Sequence, residues 1–213
     1  MKKILVFRNC KLGDYITSIP SLNLIKEKHP GDRIYFLSHK NDYKIHIPKT
    51  IENIKLVDSF IFFNKNKNAF LMYVKLFKKI RKLKFDHLYY LQESSLKFTK
   101  IRIIRDLFFF SLCNIKSKTG FKYEKPNYKI KSHSVEIAQR IKKGISKKKL
   151  IEKTIIDIKP EVRFIKKKYI IFSIGGISSP KKWSISNWII LAKLILDKYQ
   201  DFEVILVGVK SEN

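Results

Sequence analysis

Short runs of apolar, β-favouring residues alternate along the whole chain with longer stretches of helical periodicity. Strands are predicted at Ile4 to Phe7, Ile34 to Ser38, Ser59 to Phe63, His87 to Leu91, Lys116 to Phe121, Thr154 to Ile158, Tyr169 to Ile174 and Glu203 to Val207. Helices are predicted between them, near residues 19 to 29, 67 to 83, 95 to 112, 133 to 145 and 186 to 199. Nearly continuous apolar strands separated by helices are typical of a parallel sheet covered on both faces. The pattern therefore predicts an α/β fold.

The last helical stretch shows the periodicity most clearly. Its apolar residues fall at i, i+3, i+4 and i+7, namely Trp188, Leu191, Ala192 and Ile195. This spacing places them on one face, which we expect to pack against a sheet. Ser184 or Ser186 can cap the start of this helix.

A domain boundary is predicted near residues 159 to 168, where Lys-Pro and then three lysines interrupt the apolar pattern. We divide the chain into an N-terminal domain, 1–165, and the start of a second, 166–213. The second part holds one strand–helix–strand unit of fewer than 50 residues, which is too small to close a core alone. We therefore expect a truncated second domain, a longer form of the gene, and association through the sheet edge after Val207.

Charge separates this chain from an average globular protein. Lys and Arg number 46 against 18 Asp and Glu, a net charge of +28, of which residues 1–165 carry +24 (38 basic, 14 acidic). Such an excess favours nucleic acid, an anionic membrane surface or anionic small molecules as partners. A composition biased toward Lys, Ile, Asn and Phe is an alternative explanation. Nucleic acid is not expected, because lysine dominates and bidentate readout favours arginine.

Cysteine usage and hydropathy indicate the compartment. Cys10 and Cys113 are too few for a disulfide framework or a four-ligand zinc site, which favours a reducing environment. The apolar stretch from Ile103 to Ile115 is interrupted by Arg105 and Asp106 and is shorter than the ~20 residues of a spanning helix. We expect a cytoplasmic protein that can contact the inner membrane surface peripherally.

The first candidate site follows the first predicted strand. It contains Arg8, Lys11, Gly13 and Asp14. Ligands of open α/β sheets bind beyond the carboxyl ends of strands, where an aspartate can accept a proton from a substrate hydroxyl. The structural alternative is that Asp14 caps a helix or closes a turn. Pro20 fits that alternative, since it can occupy the first helical turn after a Ser18 cap.

The second candidate site is the segment from Gly175 to Trp183. Its glycines, hydroxyls and two lysines stand between a predicted strand and a predicted helix. Backbone N–H groups, the helix dipole and ammonium charge can hold phosphates in such a loop. The segment matches neither the P-loop spacing nor the dinucleotide fingerprint, so an ordinary strand-to-helix loop is the alternative.

Seven segments, taken in order, resemble glycosyltransferase family 9, which contains the ADP-heptose:lipopolysaccharide heptosyltransferases. They are Lys3 to Arg8 with Gly13-Asp14 and Pro20, His29-Pro30 with Arg33 to Leu37, Asp86 to Gln92, Lys118 to Phe121, His133 to Glu136, Gly175 to Trp183, and Val204 to Gly208. The resemblance covers essentially the whole chain.

The resemblance implies two Rossmann-like domains of the GT-B type that face each other across a cleft. In that arrangement the acceptor binds the N-terminal side and the nucleotide-sugar the C-terminal side. Asp14 corresponds to the catalytic base and Lys181 to the contact with the donor phosphates. Gly176 and Ser178 belong to the same donor loop, and the acceptor-side loop supplies Arg8, Lys11 and Gly13. The family continues for about another hundred residues, roughly half a domain, which this sequence lacks.

The implied reaction is an inverting transfer of a sugar, heptose in this family, from ADP-heptose to an anionic glycolipid acceptor of lipopolysaccharide or a related surface glycan. No metal and no cofactor are expected, because lysine and a helix dipole can stabilise the leaving diphosphate. The alternatives are an inactive fragment, or a non-catalytic basic α/β protein that binds RNA or anionic membrane. Interleaved aromatic and lysine residues in 60–84 and 97–131 motivate the latter.

Overall fold

A computed structural model describes residues 1–9, 12–40, 56–64, 68–92, 99–121, 133–142, 168–174 and 183–207. The chain divides into two compact units, Met1–Ile158 and Lys159–Asn213. Each contains parallel strands and helices, which confirms the predicted α/β class.

The described residues of the first unit form a five-stranded parallel sheet. Its strands are β1 (Lys3–Phe7), β2 (Arg33–Lys40), β3 (Ser59–Asn64), β4 (His87–Tyr90) and β5 (Ser117–Thr119). They lie in the order β3-β2-β1-β4-β5, so β1 is central. The helices are α1 (Leu12–Ile16), α2 (Ile19–Lys28), α3 (Ala69–Leu83), α4 (Thr99–Leu112) and α5 (His133–Lys142).

The second unit contains two parallel strands and one helix in its described part. They are β6 (Lys168–Ser173), α6 (Ile185–Lys198) and β7 (Phe202–Val207).

Sequence periodicity located most elements within a few residues. The fifth strand is shorter than predicted, because only Ser117–Thr119 pair with β4. The short helix α1 was not predicted, since five residues are too few to show a helical repeat. The predicted strand Thr154 to Ile158 lies outside the described residues, as do positions 95–98 and 143–145 of two predicted helices.

The central strand β1 is buried on both faces. Ile4 and Val6 point to one side, into a core completed by α1, α2 and α5. Leu5 and Phe7 point to the other side, into a core completed by α3 and α4. Because successive side chains of a strand alternate between faces, one apolar run supplies both cores.

Three aspartates form hydrogen bonds at the amino-terminal edge of this sheet. Each of them directly precedes a strand and accepts a backbone N–H from the start of the adjacent strand. Asp32 accepts from Lys2 at 2.7 Å, Asp86 from Lys3 at 2.8 Å and Asp58 from Ile34 at 2.7 Å. These bonds satisfy donors at strand starts and help to fix the strand register. Asp86, one of the residues that carry the family resemblance, therefore has a structural role here.

The second unit leaves much of its apolar surface open. The face of α6 predicted to be inward, which includes Trp188 and Ile195, is its less exposed side, yet no residue of α6 is buried. Among the described residues of this unit only Phe172 is buried. Two strands and one helix offer too little area to enclose a core.

Gly120 provides a test of the β4–β5 packing. Its φ is +94°, and a Cβ at this position would overlap the main-chain carbonyl of Tyr90. We expect Gly120→Ala to lower the free energy of unfolding of the first unit by about 2 to 4 kcal/mol, combining left-handed strain with overpacking. Gly13→Ala is the control, since nothing lies within 4 Å of a Cβ there.

Amide hydrogen exchange of β1 measures this stability directly. Tryptophan fluorescence is unsuitable, because both tryptophans, Trp183 and Trp188, belong to the second unit. Equal exchange rates in the two alanine variants would contradict the assigned packing.

Candidate active site

The strand order places the segment after β1 at the topological switch point of the sheet. The chain leaves β1 toward β2 on one side, whereas β4 lies on the other. In open α/β sheets, ligands bind at the carboxyl ends of the strands where the order reverses. Arg8 and the following residues therefore occupy the favoured position for a ligand.

Arg8 is a buried cation at the end of the central strand. Its exposed fraction is 1%, and its main-chain N–H donates to the Leu37 carbonyl at 3.1 Å, which continues the β1–β2 pairing. Its guanidinium Nη1 donates to Ser18 Oγ at 2.7 Å. A buried guanidinium needs such partners, because removing its charge from water is costly.

Asp14 is an ion-pair partner of this guanidinium. Arg8 Nη2 lies 3.9 Å from Asp14 Oδ1, which is an ion-pair distance and too long for a hydrogen bond. The Asp14 side chain is 43% exposed, so its carboxylate pairs with a buried cation and is still accessible from solvent. That combination suits a group that contacts a substrate.

Ser18 connects the main chain at Asp14 to the guanidinium of Arg8. Its hydroxyl donates to the Asp14 carbonyl at 2.8 Å and accepts from Arg8, while Thr17 Oγ1 donates to the same carbonyl at 2.9 Å. Ser18 stands before α2 with Pro20 in the first turn, as predicted, but its side chain does not cap the helix. The hydroxyl is already engaged by these two partners.

The structure brings three of the predicted site residues together. Arg8, Gly13 and Asp14 lie in one segment, with Gly13 and Asp14 inside the short helix α1 instead of an open loop. Asp14 is thus in a first helical turn, where a carboxylate is favoured by the helix dipole. The other predicted site residues lie outside the described part of the chain: Lys11, Gly176, Ser178 and Lys181.

Sequence reasoning did not single out a second buried arginine at this sheet edge. Arg140 of α5 is 7% exposed, and its Nη2 donates to the carbonyl of Gln92 at 2.5 Å, just beyond the end of β4. Its neighbours in the sequence could have indicated its burial, because Ile137, Ala138 and Ile141 make this side of the helix apolar. A cation inside an apolar stripe needs a buried partner.

A cavity of about 270 Å³ opens on the α3 and α4 side of the same sheet edge. Its lining is mainly aromatic and aliphatic, with polar groups from Asn9, His39, Arg105 and Asp106. Asp106 is 4% exposed and accepts from Tyr90 Oη at 2.9 Å and from Arg105 Nη2 at 2.6 Å. Burial, and then Asp106, raise the pKa of Tyr90, so its hydroxyl stays protonated and can donate.

The described residues contain neither a metal-ligand cluster nor a membrane-spanning helix. Within the described ranges no three His, Cys, Asp or Glu side chains lie close enough to hold a metal ion. Metal-independent chemistry stays a prediction, because the donor loop lies outside these ranges. No helix among the described residues is both long and apolar enough to cross a membrane.

Comparisons by sequence find no matching family model and no matching curated protein. Solved structures do match. A family 9 glycosyl transferase from Veillonella parvula aligns over 99% of this chain with a TM-score of 0.62 at 14% identity. The E. coli ADP-heptose lipopolysaccharide heptosyltransferase II aligns over 100% with a TM-score of 0.62 at 14% identity. E. coli heptosyltransferase WaaC, solved with ADP-2-deoxy-2-fluoro heptose, aligns over 99% with a TM-score of 0.58 at 16% identity.

These matches establish the fold, and they show that this chain is shorter than the structures it matches. The α/β architecture matches GT-B glycosyltransferase structures, and its structural neighbours include family 9 glycosyltransferases and heptosyltransferases. The chain spans 63% and 66% of the length of the first two structures. At 12 to 16% identity the likeness concerns the fold and leaves the substrates open.

The Arg8–Ser18 hydrogen bond can be tested against a neighbouring serine. Ser18→Ala leaves a buried guanidinium N–H without its acceptor, which we expect to destabilise the first unit by about 1 to 3 kcal/mol. Ser21 is equally buried, but within the described structure its hydroxyl has no hydrogen-bond partner, so Ser21→Ala should be neutral or stabilising. Hydrogen exchange of the β1 amides measures both variants, and equal losses would contradict the assigned role of Ser18.

Proposed function

We propose that this chain carries the general base and the donor loop of an inverting glycosyltransferase that moves a sugar, specifically heptose, from a nucleotide-sugar to a lipopolysaccharide or related surface-glycan acceptor. One observation carries the proposal. The Asp14 carboxylate is accessible beside the buried Arg8, at the carboxyl end of the central strand, in a fold that matches family 9 glycosyltransferases. Because the chain spans about two thirds of those structures, its activity and substrates are part of the proposal.

Asp14 acts as the general base in this mechanism. An acceptor hydroxyl oxygen attacks the anomeric carbon, a new C–O bond forms, and its proton passes to the Asp14 carboxylate. The bond from the anomeric carbon to the diphosphate oxygen breaks, and its electron pair leaves with the nucleoside diphosphate. Attack opposite the leaving group inverts the anomeric configuration. Arg8 positions the carboxylate from its buried side, at 3.9 Å.

The acceptor approaches along the carboxyl edge of the first unit. The cavity that adjoins Asn9 offers hydrogen-bonding groups from His39, Arg105 and Asp106. A small polar set inside an apolar lining is the usual composition of a pocket that orients a ligand. A sugar residue presents hydroxyls to such groups and a C–H face to aromatic rings such as Tyr73.

The donor diphosphate binds the loop between β6 and α6. Lys181 supplies an ammonium charge, Ser178 a hydroxyl, and Gly176 a backbone N–H that can approach the phosphates closely. The helix that follows begins at Ile185 with a Ser184 cap, whose Oγ accepts from the Asn187 N–H at 3.3 Å. The dipole of α6 adds to the stabilisation of the charge that develops on the leaving group.

Asp14→Asn tests the general base. The amide keeps the shape of the side chain but cannot take the proton, so we expect turnover to fall about 10²- to 10⁴-fold with little change in donor KM. The assay is ADP release from ADP-heptose in the presence of heptose-deficient lipopolysaccharide. Glu27→Gln is the matched control, because it removes an exposed carboxylate from the far end of α2. Normal turnover of Asp14→Asn would reject the assignment.

Lys181→Ala tests the donor loop. Loss of the ammonium should raise the donor KM, or the donor Kd measured by calorimetry, about tenfold, because one charge contact to the diphosphate is removed. Lys198→Ala, at the exposed carboxyl end of α6, removes the same charge elsewhere in the second unit and should leave donor binding unchanged. Unchanged donor affinity of Lys181→Ala would remove Lys181 from the site.

A further inference from the structure

Helix α4 is apolar on two opposite sides. Its inner side packs against the sheet through residues such as Ile103 and Phe110, which are 6% and 1% exposed. Its outer side carries Ile101, Ile104, Phe108 and Leu112, which are 66%, 67%, 66% and 53% exposed. A helix that covers a sheet normally has a polar outer face. The outer side of α4 is therefore suited to contact an apolar partner, in addition to the sheet that its inner side covers.

The outer apolar residues form one continuous stripe. At about 100° per residue, Ile101, Ile104, Phe108 and Leu112 fall within an arc of about 80°. The start of α3 extends the surface with Phe70 and Leu71, 78% and 44% exposed. Helix α3 lies beside α4, since the Tyr73 and Phe109 rings are 5.4 Å apart. Exposed apolar patches of this kind mark interaction sites.

The segments that carry this apolar surface have charges of almost one sign. Among residues 69–84 and 99–121 there are 11 basic side chains and one acidic side chain. The exposed basic residues include Lys75, Lys78, Lys79, Lys82, Lys100 and Arg105. The single acid, Asp106, is 4% exposed and already bound by Tyr90 and Arg105. A partner that offers both apolar and anionic surface would match these two helices.

We propose that the outer face of α4, with the start of α3, binds the surface of an anionic phospholipid bilayer. The stripe inserts among the headgroups and upper acyl chains, and the lysines contact anionic headgroups, each adding to binding in a salt-dependent way. Helix α4 has 14 residues, about 21 Å, which suits a helix that lies in the plane of the interface.

Charge argues against the other occupants of this face. A second copy bound through the same face would bring two lysine-rich surfaces together, and like charges repel. RNA would satisfy the lysines, but it would leave aliphatic side chains such as Ile101 and Ile104 without a matching surface, because nucleic acids are bound by stacking rings and basic groups. A bilayer satisfies both features at once.

Attachment at this face would bring the candidate active site near the membrane. Helices that follow parallel strands begin at the carboxyl edge of the sheet, so the start of α4 lies at the same edge as Arg8 and Asp14. A lipid-linked acceptor could then reach the site without leaving the bilayer. The membrane proposal itself does not depend on catalysis, and its test uses no turnover.

Vesicle co-sedimentation of the whole chain tests the proposal. We expect binding to vesicles of phosphatidylcholine and phosphatidylglycerol, mixed two to one, and little binding to phosphatidylcholine alone. The variant Ile104→Gln/Phe108→Gln should weaken binding to the mixed vesicles about tenfold or more, because two apolar side chains no longer insert. Raising the salt from about 0.1 M to about 0.5 M should also weaken binding, by screening the lysines.

The matched control is Ile185→Gln/Ile189→Gln. These residues have the same i, i+4 spacing on α6 and are 74% and 50% exposed, but they belong to the second unit. The control should bind like the unmodified chain. Equal losses in the two variants, or no loss in the α4 variant, would overturn the assignment of the face.

Three further readouts separate the remaining outcomes. Phe108→Trp, with Trp183→Phe and Trp188→Phe to remove the native signal, should be quenched by lipids brominated along their acyl chains. No quenching would overturn insertion. Sedimentation without vesicles that showed a dimer, lost in the Ile104→Gln/Phe108→Gln variant, would assign the face to a second copy. Displacement from vesicles by polyuridine RNA, combined with absent quenching, would assign it to nucleic acid.

Discussion

The first unit depends on a single strand that is buried on both faces and paired on both edges. Strand β1 joins β2 and β4, and its four apolar side chains Ile4, Leu5, Val6 and Phe7 supply both cores alternately. Strand β1 therefore has neighbours on both edges and both faces up to its carboxyl end. Arg8 directly follows β1 and is therefore buried at this end of the sheet.

The two edges of the sheet use charge differently. At the amino edge, Asp32, Asp58 and Asp86 each accept a backbone N–H group, and Asp58 also lies 3.7 Å from the Lys26 ammonium. At the carboxyl edge, the Arg8 guanidinium is buried while its ion-pair partner Asp14 is open to solvent. The carboxyl edge thus combines a buried cation with an accessible carboxylate, whereas the carboxylates of the amino edge bind main-chain N–H groups.

Apolar exposure has different origins in the two units. On α6 it follows from a small sheet, since two strands cannot cover a helix and Phe172 is the one buried residue described there. On α4 the inner side is fully packed against a five-stranded sheet, and the outer stripe remains apolar nonetheless. The first follows from the small area of the described sheet. The second occurs on a helix whose other side is packed, and it is therefore the more specific indication of a partner.

The amino-acid sequence by itself determined the fold class and most element positions, because nearly continuous apolar runs and apolar repeats of about 3.6 residues report directly on burial. It also marked Asp14, through a Gly-Asp pair after a strand. Only the tertiary structure decided that Ser18 binds Arg8 and Asp14 instead of capping α2, that Arg140 reaches Gln92, and that the outer stripe of α4 stays uncovered. These depend on contacts between residues distant in sequence or on what a face meets in space, and local periodicity carries no information about either.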